Sequence, residues 1–384
     1  MKKKIRVGLL FGGKSKEHEV SLISARNVLE ALDLEKYEPI LVSINKQGQW
    51  HLETQEALKK MIFSTAVLKN FTEKLAIIPM EECKQIVSYK DSKLQENLGL
   101  DVAFPILHGA YGEDGTIQGL LQIANIPFVG AGVLGSAIGM DKDIMKRLLQ
   151  QAGIPVAPFI CLHDYQEIPV FEEVVLELGC PFFIKPANTG SSIGVTKVSN
   201  QATYPLAIKN AFLYDRKILL EKYIQGREIE CAVLGNEDPQ ASLPGEIESL
   251  HEFYSYEAKY IDAKGAKLHI PASLSKEQIV HIQTMAMTVF RTLCCEGMAR
   301  VDFFLTKNQE LLVNEINTIP GFTRISMYPK LWEASGLSYS QLIDQLIQLA
   351  IARHEKGKKI KLESKGKNDL QMQRHTHTYR NWSG

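Results

Sequence analysis

Neither sign of charge prevails in this 384-residue chain: 44 lysines and arginines stand against 44 aspartates and glutamates. With no net field to attract phosphate backbones or anionic headgroups, nucleic acid and membrane surfaces are not expected partners. Cysteine is sparse and unpatterned. Its six copies, Cys83, Cys161, Cys180, Cys231, Cys294 and Cys295, include no C-x-x-C pair and no zinc-like spacing, and adjacent Cys294 and Cys295 read as buried small residues. No apolar run approaches the roughly 18 residues of a membrane span. The opening MKKKIRVGLLFGGKSKEH reaches glycine and charge too soon for a signal peptide. Together these absences predict a reduced, soluble, cytoplasmic protein.

What is present is α/β patterning over a length that suggests two or three domains. Residues 5–11, IRVGLLF, form an unbroken apolar run, as in a strand covered on both faces. Leu22, Ala25, Leu29 and Leu32 recur at helical spacing, and YEPILVSIN follows as a second strand, a β-α-β opening that favours a parallel sheet. Residues 46–100 are polar and irregular, an expected insertion with short helices. A third strand, DVAFPIL, runs into the glycine-dense HGAYGEDGTIQG, and a helix carrying Met145, Leu148, Leu149 and Ala152 stops at Gly153 and Pro155. From residue 181 strands dominate, apart from one helix over 276–293. After about residue 353 the sequence is too polar to bury a core and reads as a mobile tail.

Two stretches compete as phosphate binders. Gly8 to Ser15 matches the literal pattern G-x-x-x-x-G-K-S, but Leu9, Leu10 and Phe11 between its glycines look like buried strand rather than a cradle of N–H groups. What remains there is a Gly-Gly turn at the carboxyl end of a first strand, where open α/β sheets place ligands. Glu19 and Ser21 just beyond it equally fit the ordinary helix N-terminal preference for acids and caps. The stronger candidate is IKPANTGSSIGV, residues 184–195: Lys185 ends a strand, and Gly190, Ser191, Ser192 and Gly194 make a hairpin tip with donors suited to a polyphosphate. Lys142 opens a helix upstream. Glu221 and Glu228, taken alone, fit surface charges.

The segments MARVDFFL and LLVNEINTIPG are separated by a short turn at Lys307-Asn308, which predicts an antiparallel hairpin. Strand alternation would put Leu311, Val313, Glu315 and Asn317 on one face. Asp302 then opposes Glu315 or Asn317, and the three form an all-oxygen set suited to Mg²⁺. Arg300 shares the face of Asp302. Cation and arginine side by side suit phosphoryl transfer, while a buried salt-bridge network of Arg300 with Asp302 and Glu315 is the plainer alternative.

In this order, HEVS (18–21), LHG..GEDGTIQG (107–119), MDK (140–142), IKP...GSSIGV, EKYI.GREI, YEAKY (256–260), ARVDFF and NEINTIPGFT..S (314–326) resemble the ATP-grasp ligases, and among them the D-alanine:D-alanine ligase family. The resemblance spans residues 4 to about 352. It implies an α/β ATP-grasp fold with an N-terminal Rossmann-like parallel-sheet domain over 1–130 and two α+β domains, 131–221 and 222–355, enclosing the nucleotide, before a tail over 356–384. It implies that Lys142 and Lys185 hold ATP phosphates, that Ser192 belongs to the loop over them, that Glu221, Lys222, Tyr223 and Ile224 form the adenine hinge, and that Glu228 meets the ribose. Asp302, Glu315 and Asn317 correspond to ligands of two Mg²⁺ ions. Glu19 corresponds to the anchor of the first D-alanine, steadied by Ser191 and Tyr260. By the same resemblance His108 corresponds to a residue near the reacting centre, Arg300 and the Gly321 N–H to an oxyanion hole, and Ser326 with Met327 to the second-substrate site. Lys259 and Tyr260 ride on a lid over 250–265. A homodimer is implied as well.

The implied reaction is chemically coherent, since a carboxylate is a poor acyl donor and phosphorylation by ATP supplies a leaving group that an amine can displace. Relatives that join D-lactate or D-serine depart in the lid and after G-F-T, where Tyr260 and Met327 here resemble the D-alanine kind. Two other readings stand beside it: a ligase with a D-lactate or D-serine acceptor, and a catalytically silent nucleotide-binding module.

Overall fold

The computed structural model describes residues 3–63, 74–77, 86–90, 93–249 and 266–359, and within them three sheets form. Strands β1 (Ile5–Gly12), β2 (Tyr37–Ile44), β3 (Trp50–Glu53), β4 (Lys74–Ile77), β5 (Ile86–Lys90), β6 (Lys93–Asn97) and β7 (Val102–Ile106) build the first, in the order β6-β5-β4-β3-β2-β1-β7. Central β1 is parallel to β2 and to β7, with helix α1 (His18–Ala31) as the first crossover. Its apolar run is explained by burial on both sides: Val7, Leu9 and Phe11 enter one core and Leu10 another. Gly8 faces Leu100 so closely that an added Cβ would lie 2.4 Å from Leu100 Cδ1. The literal phosphate-loop pattern is therefore strand interior as far as Phe11, and the chain turns at Gly12 and Gly13, with φ of 93° and 94°.

Residues 46–100 depart from the expectation of short helices. Among the described residues of this segment one helix, α2 (Gln55–Phe63), is present, but β3 to β6 extend the sheet antiparallel, strand by strand. These strands are four or five residues long, too short to display a period in the sequence.

Helices α3 (Thr116–Ile123), α4 (Val133–Met140) and α5 (Lys142–Gln151) lead to an antiparallel second sheet of β8 (Phe159–His163), β9 (Phe182–Pro186), β10 (Thr196–Val198) and β11 (Lys217–Lys222), ordered β10-β9-β11-β8. Alternation divides its faces. Phe182, Ile184, Ile218 and Leu220 pack beneath helices α6 (Phe171–Leu178) and α7 (Tyr204–Ala211), while Phe183, Lys185 and Glu221 face the other way.

The third sheet comprises β12 (Gly226–Gly235), β13 (Gln240–Ala241), β14 (Gly245–Ser249), β15 (Ala266–His269), β16 (Gly297–Thr306) and β17 (Leu311–Asn317), in the order β15-β14-β12-β16-β17 with β13 on β12. Helix Lys276–Thr292, started by a Ser275–Gln278 capping box, buries Ile282, Ala286, Val289 and Phe290 against it. Helices Met327–Ala334 and Tyr339–Gly357 join this sheet to the first: Tyr328, Leu331, Leu346 and Ile347 share a core with Val7, Leu9 and Phe104.

The last helix continues through Gly357, beyond the expected limit at 355, and Arg353 anchors it by donating to the carbonyls of Gly130 and Phe128 at 2.6 and 2.7 Å. The remainder of the expected tail, 360–384, lies outside the described residues. Among those described, no helix is long and apolar enough to cross a membrane. Cys295 is buried as expected, but Cys294, at a φ of 55°, is exposed.

Candidate active site

At the carboxyl end of β1 the chain turns through Gly12-Gly13 into α1. Ser21 fixes that turn, accepting from the Gly12 N–H at 2.7 Å and donating to the Ile106 carbonyl at the end of β7. Here the structure corrects one residue. Glu19 is half exposed and pairs outward with Lys46 at 2.7 Å, so it is not the interior carboxylate. Glu17 is, being 6% exposed and accepting a 2.5 Å hydrogen bond from the Ser191 hydroxyl. Two helical positions turn a side chain by roughly 200°, which is why the exchange matters. The signal was in the sequence: Glu17, Ser21 and Ser24 recur at helical spacing, and all three are buried.

His108, after β7, is buried beside this carboxylate. Its Nδ1 lies 3.1 Å from the Ile319 carbonyl and its Nε2 3.4 Å from Ser24 Oγ. Burial pushes the imidazole below its ordinary pKa, against the opposing pull of Glu17. Sequence reasoning missed Glu113 in the same loop. Its carboxyl accepts from the Gly109 N–H at 2.7 Å, and burial, then the charge of Glu17, pushes it up to about 8.

Lys142, Lys185, Ser191, Ser192, Glu221, Lys222, Tyr223, Ile224 and Glu228 line one cleft between the second and third sheets, so every described nucleotide candidate meets there. Lys142 opens α5, whose Asp141 N-cap accepts from the Asp143 and Ile144 N–H groups. Its ammonium donates to the Thr189 carbonyl at 2.8 Å and lies 3.3 Å from Glu315. Lys185 Nζ sits 2.6 Å from Glu221 Oε1, and the fully buried Lys146, not singled out from sequence, sits 2.7 Å from Glu221 Oε2. Burial alone would raise the Glu221 carboxyl, but the two ammonium groups hold it below its ordinary pKa. In the loop above, Ser191 and Ser192 take left-handed φ of 52° and 57°, and Gly194 is packed so that a Cβ would lie 2.6 Å from the Tyr214 ring.

The opposite wall is the expected hairpin, with Asp302 paired to Glu315 and Arg300 to Asn317. The expected single face for Leu311, Val313, Glu315 and Asn317 does not hold. After the Phe303–Val313 pair the register shifts, one extra residue, Asn314, enters β17, and the parity of its side chains reverses. Leu311, Val313 and Ile316 therefore share a buried core, while Asn314 and Glu315 line the cleft.

Arg300 chelates Asp302 through Nε and Nη2, both at 2.7 Å, and lies 2.9 Å from Glu230, a partner not foreseen. Burial opposes its charge, yet Asp302 and Glu230 hold its pKa well above the ordinary value. Asn317 donates to Asp302 at 3.0 Å. Among the described residues no three His, Cys, Asp or Glu side chains converge as a metal site. The hairpin reaches three donors only by counting the Asn317 carboxamide, an oxygen set that fits a hard cation.

Beyond the hairpin, Gly321 faces the Ser326 hydroxyl, which a Cβ would approach to 2.8 Å. That hydroxyl also accepts from the Thr323 N–H at 2.9 Å. Met327 departs from its expected place in a second-substrate pocket: as the first residue of its helix it turns into the core and is 4% exposed. Lys259 and Tyr260, with the expected lid over 250–265, lie outside the described residues.

Comparison with known proteins gives this geometry its setting. Family profiles described as "D-ala D-ala ligase N-terminus" and "D-ala D-ala ligase C-terminus" match residues 6–131 and 148–348. The chain is 54% identical to the D-alanine–D-alanine ligase of Oceanobacillus iheyensis, over 94% of this chain and 98% of that one. It is 50% identical to the D-alanine–D-alanine ligase A of Escherichia coli K12, over 91% and 97%. Among solved structures, the D-alanine-D-alanine ligase from Coxiella burnetii superposes with a TM-score of 0.81 at 39% identity, covering 93% of this chain and 96% of that one. The VanG D-Ala:D-Ser ligase from Enterococcus faecalis superposes at 0.82 and 36%, covering 91% and 100%.

Proposed function

This chain belongs to the D-alanine–D-alanine ligase family, and from that premise we infer that it joins two D-alanine molecules into D-alanyl-D-alanine with ATP as co-substrate, for peptidoglycan precursor synthesis. The observation that carries the reading is the cleft itself. Lysines on one wall, oxygen donors on the other and a two-serine loop between them lead to a buried glutamate at the end of β1.

Glu17 is suited to hold the ammonium of the first D-alanine, with Ser191 fixing its carboxylate. That places the substrate carboxylate toward the phosphate-binding loop. Lys142, Lys185 and the N–H groups around Ser191 and Ser192 are suited to orient the polyphosphate, Glu221 to Ile224 to border the base, and Glu228 to meet the ribose. Asp302, Glu315 and Asn317 would hold Mg²⁺, which neutralises charge on the phosphates when bound. Transfer of the γ-phosphoryl to D-alanine gives an acylphosphate; the amine of the second D-alanine then displaces phosphate. Arg300 and the Gly321 N–H are placed to stabilise the oxyanion, and Ser326 to receive the second carboxylate.

The same reading divides the chain at about 130 and 221, since each resulting part holds one of the three sheets, and sets the reaction in the cytoplasm as a homodimer. D-alanine is preferred as acceptor because the relatives at 50–54% identity carry that name, whereas the D-Ala:D-Ser ligase stands at 36%. Incubation with ATP, Mg²⁺ and D-alanine, with D-serine and D-lactate competing, should yield ADP, phosphate and D-alanyl-D-alanine. Phosphate release indifferent to D-alanine would overturn the assignment.

A further inference from the structure

Lys146 belongs to no motif, yet it is the most completely enclosed cation described. It follows Lys142 by one turn of α5, so both side chains leave the same face of the helix. Its side chain has 0% exposure, its ammonium lies 2.7 Å from Glu221 Oε2, and the Phe159 ring centroid is 5.8 Å away. Lys185 approaches the same carboxylate from the cleft side, 2.6 Å from Oε1. Lys185 and Glu221 line the cleft; Lys146 does not. Two ammonium groups thus share one carboxylate, one above it and one beneath.

This arrangement bears on how Lys185 could leave its partner. A buried carboxylate stripped of its only cation is strongly unfavourable. If Lys185 were the sole counterion of Glu221, turning toward an arriving phosphate would strand that charge. We propose that Lys146 is a positioning residue for nucleotide binding: by neutralising Glu221 from beneath, it frees Lys185 to engage the polyphosphate. The inference rests on the reading of this cleft as an ATP site. Burial, countered by Glu221 and reinforced by Lys185, pushes the Lys146 ammonium down to about 8, as expected where cations outnumber the anion they share. An arriving polyanion would relieve that excess.

Calorimetric titration of the full-length chain with the Mg²⁺ complex of a non-hydrolysable ATP analogue tests this, beside steady-state KM values for ATP and D-alanine. Lys146→Met should weaken nucleotide binding about tenfold or more, with KM for D-alanine changed less than about twofold, because only the nucleotide requires Lys185 to be released. Lys146→Arg should bind as the wild type does. Adenosine, which carries no phosphate to draw Lys185 away, should bind Lys146→Met within about threefold of wild type. Unchanged nucleotide binding in Lys146→Met would overturn the inference, as would an equal loss of affinity for adenosine, which would point to packing around the base. Should Lys146→Met not fold, Lys146→Gln, judged by the same ratio of nucleotide to adenosine affinity, decides by itself. Wild-type protein that binds no nucleotide would instead overturn the functional reading beneath.

Discussion

Ser191 donates to Glu17 across the cleft at 2.5 Å, linking residues 174 positions apart. The glycine-serine loop is therefore more than a cover for phosphates, because its tip touches the carboxylate at the entry to α1. The neighbouring positions support the same junction: Lys16 lies over the Tyr214 ring at 4.6 Å, and that ring packs against Gly194 at the base of the loop. One loop thus joins the expected phosphate end of the cleft to Glu17, the buried carboxylate proposed above as the ammonium anchor. A substrate carboxylate held there would face the phosphoryl group it must accept.

That contact distinguishes two glutamates which the sequence places two positions apart. Glu17→Gln removes the charge an ammonium would pair with, and charge-assisted hydrogen bonds contribute roughly 1.5–3 kcal/mol, so kcat/KM for D-alanine should fall by about 10- to 100-fold. Glu19→Gln breaks only an exposed pair with Lys46 and should leave kcat/KM within about twofold. The reverse ranking in steady-state assays would restore Glu19 as the anchor.

Arg300 satisfies Asp302 through two guanidinium nitrogens and reaches Glu230 as well. A lysine ammonium is a single point charge and cannot reproduce that fork. Arg300→Lys should therefore lower kcat by on the order of 10²- to 10³-fold and reduce the melting temperature, since two buried carboxylates lose a matched partner. Rapid-quench measurement of dipeptide formation would check it, and a kcat within a few fold of wild type would remove Arg300 from the chemistry.

Much of this was legible in the sequence where pattern and chemistry coincide. Buried β1, the helix over 276–292 and the 300/302/315/317 hairpin all show up as period or spacing, because burial on a regular element repeats. What escaped has a physical cause in each case. The bulge at Asn314 changes parity without any residue that announces it, so the face expected for β17 differs from the one observed. Lys146 on α5 and Glu230 on β12 are buried charges whose partners come from other elements, and nothing local marks such a residue. Glu17 shows only through its helical spacing with Ser21 and Ser24, a signal three residues long beside the acid Glu19 in the first turn.

The G-x-x-x-x-G-K-S match makes opposite forecasts from the fold described above. In a true phosphate loop Lys14 would be indispensable for nucleotide; here Lys14→Ala should leave KM for ATP within about twofold, because nucleotide candidates lie on other sheets. Gly8→Ala should instead act on stability. Its methyl would meet Leu100 at 2.4 Å, and overpacking of this kind costs about 1–3 kcal/mol. Thermal melts and ATP saturation curves on the two variants separate the readings, and loss of ATP binding in Lys14→Ala would revive the loop.

Glu113 supplies a pH signature. Its folded-state carboxyl is raised from 4.5 to about 8, by burial first and then by Glu17, with Glu315 adding to the rise while the Gly109 N–H and Lys142 oppose it. The folded chain thus binds a proton that the unfolded chain has already released, so this group's contribution to stability is complete below about pH 4.5 and is lost progressively as pH climbs toward 8. Glu113→Gln mimics the protonated form and should be insensitive to that loss. Its melting temperature should match wild type near pH 5 and exceed it increasingly between pH 6 and 8. A difference that stays constant, or that grows toward acid, would mean that Glu113 is ionised in the folded protein.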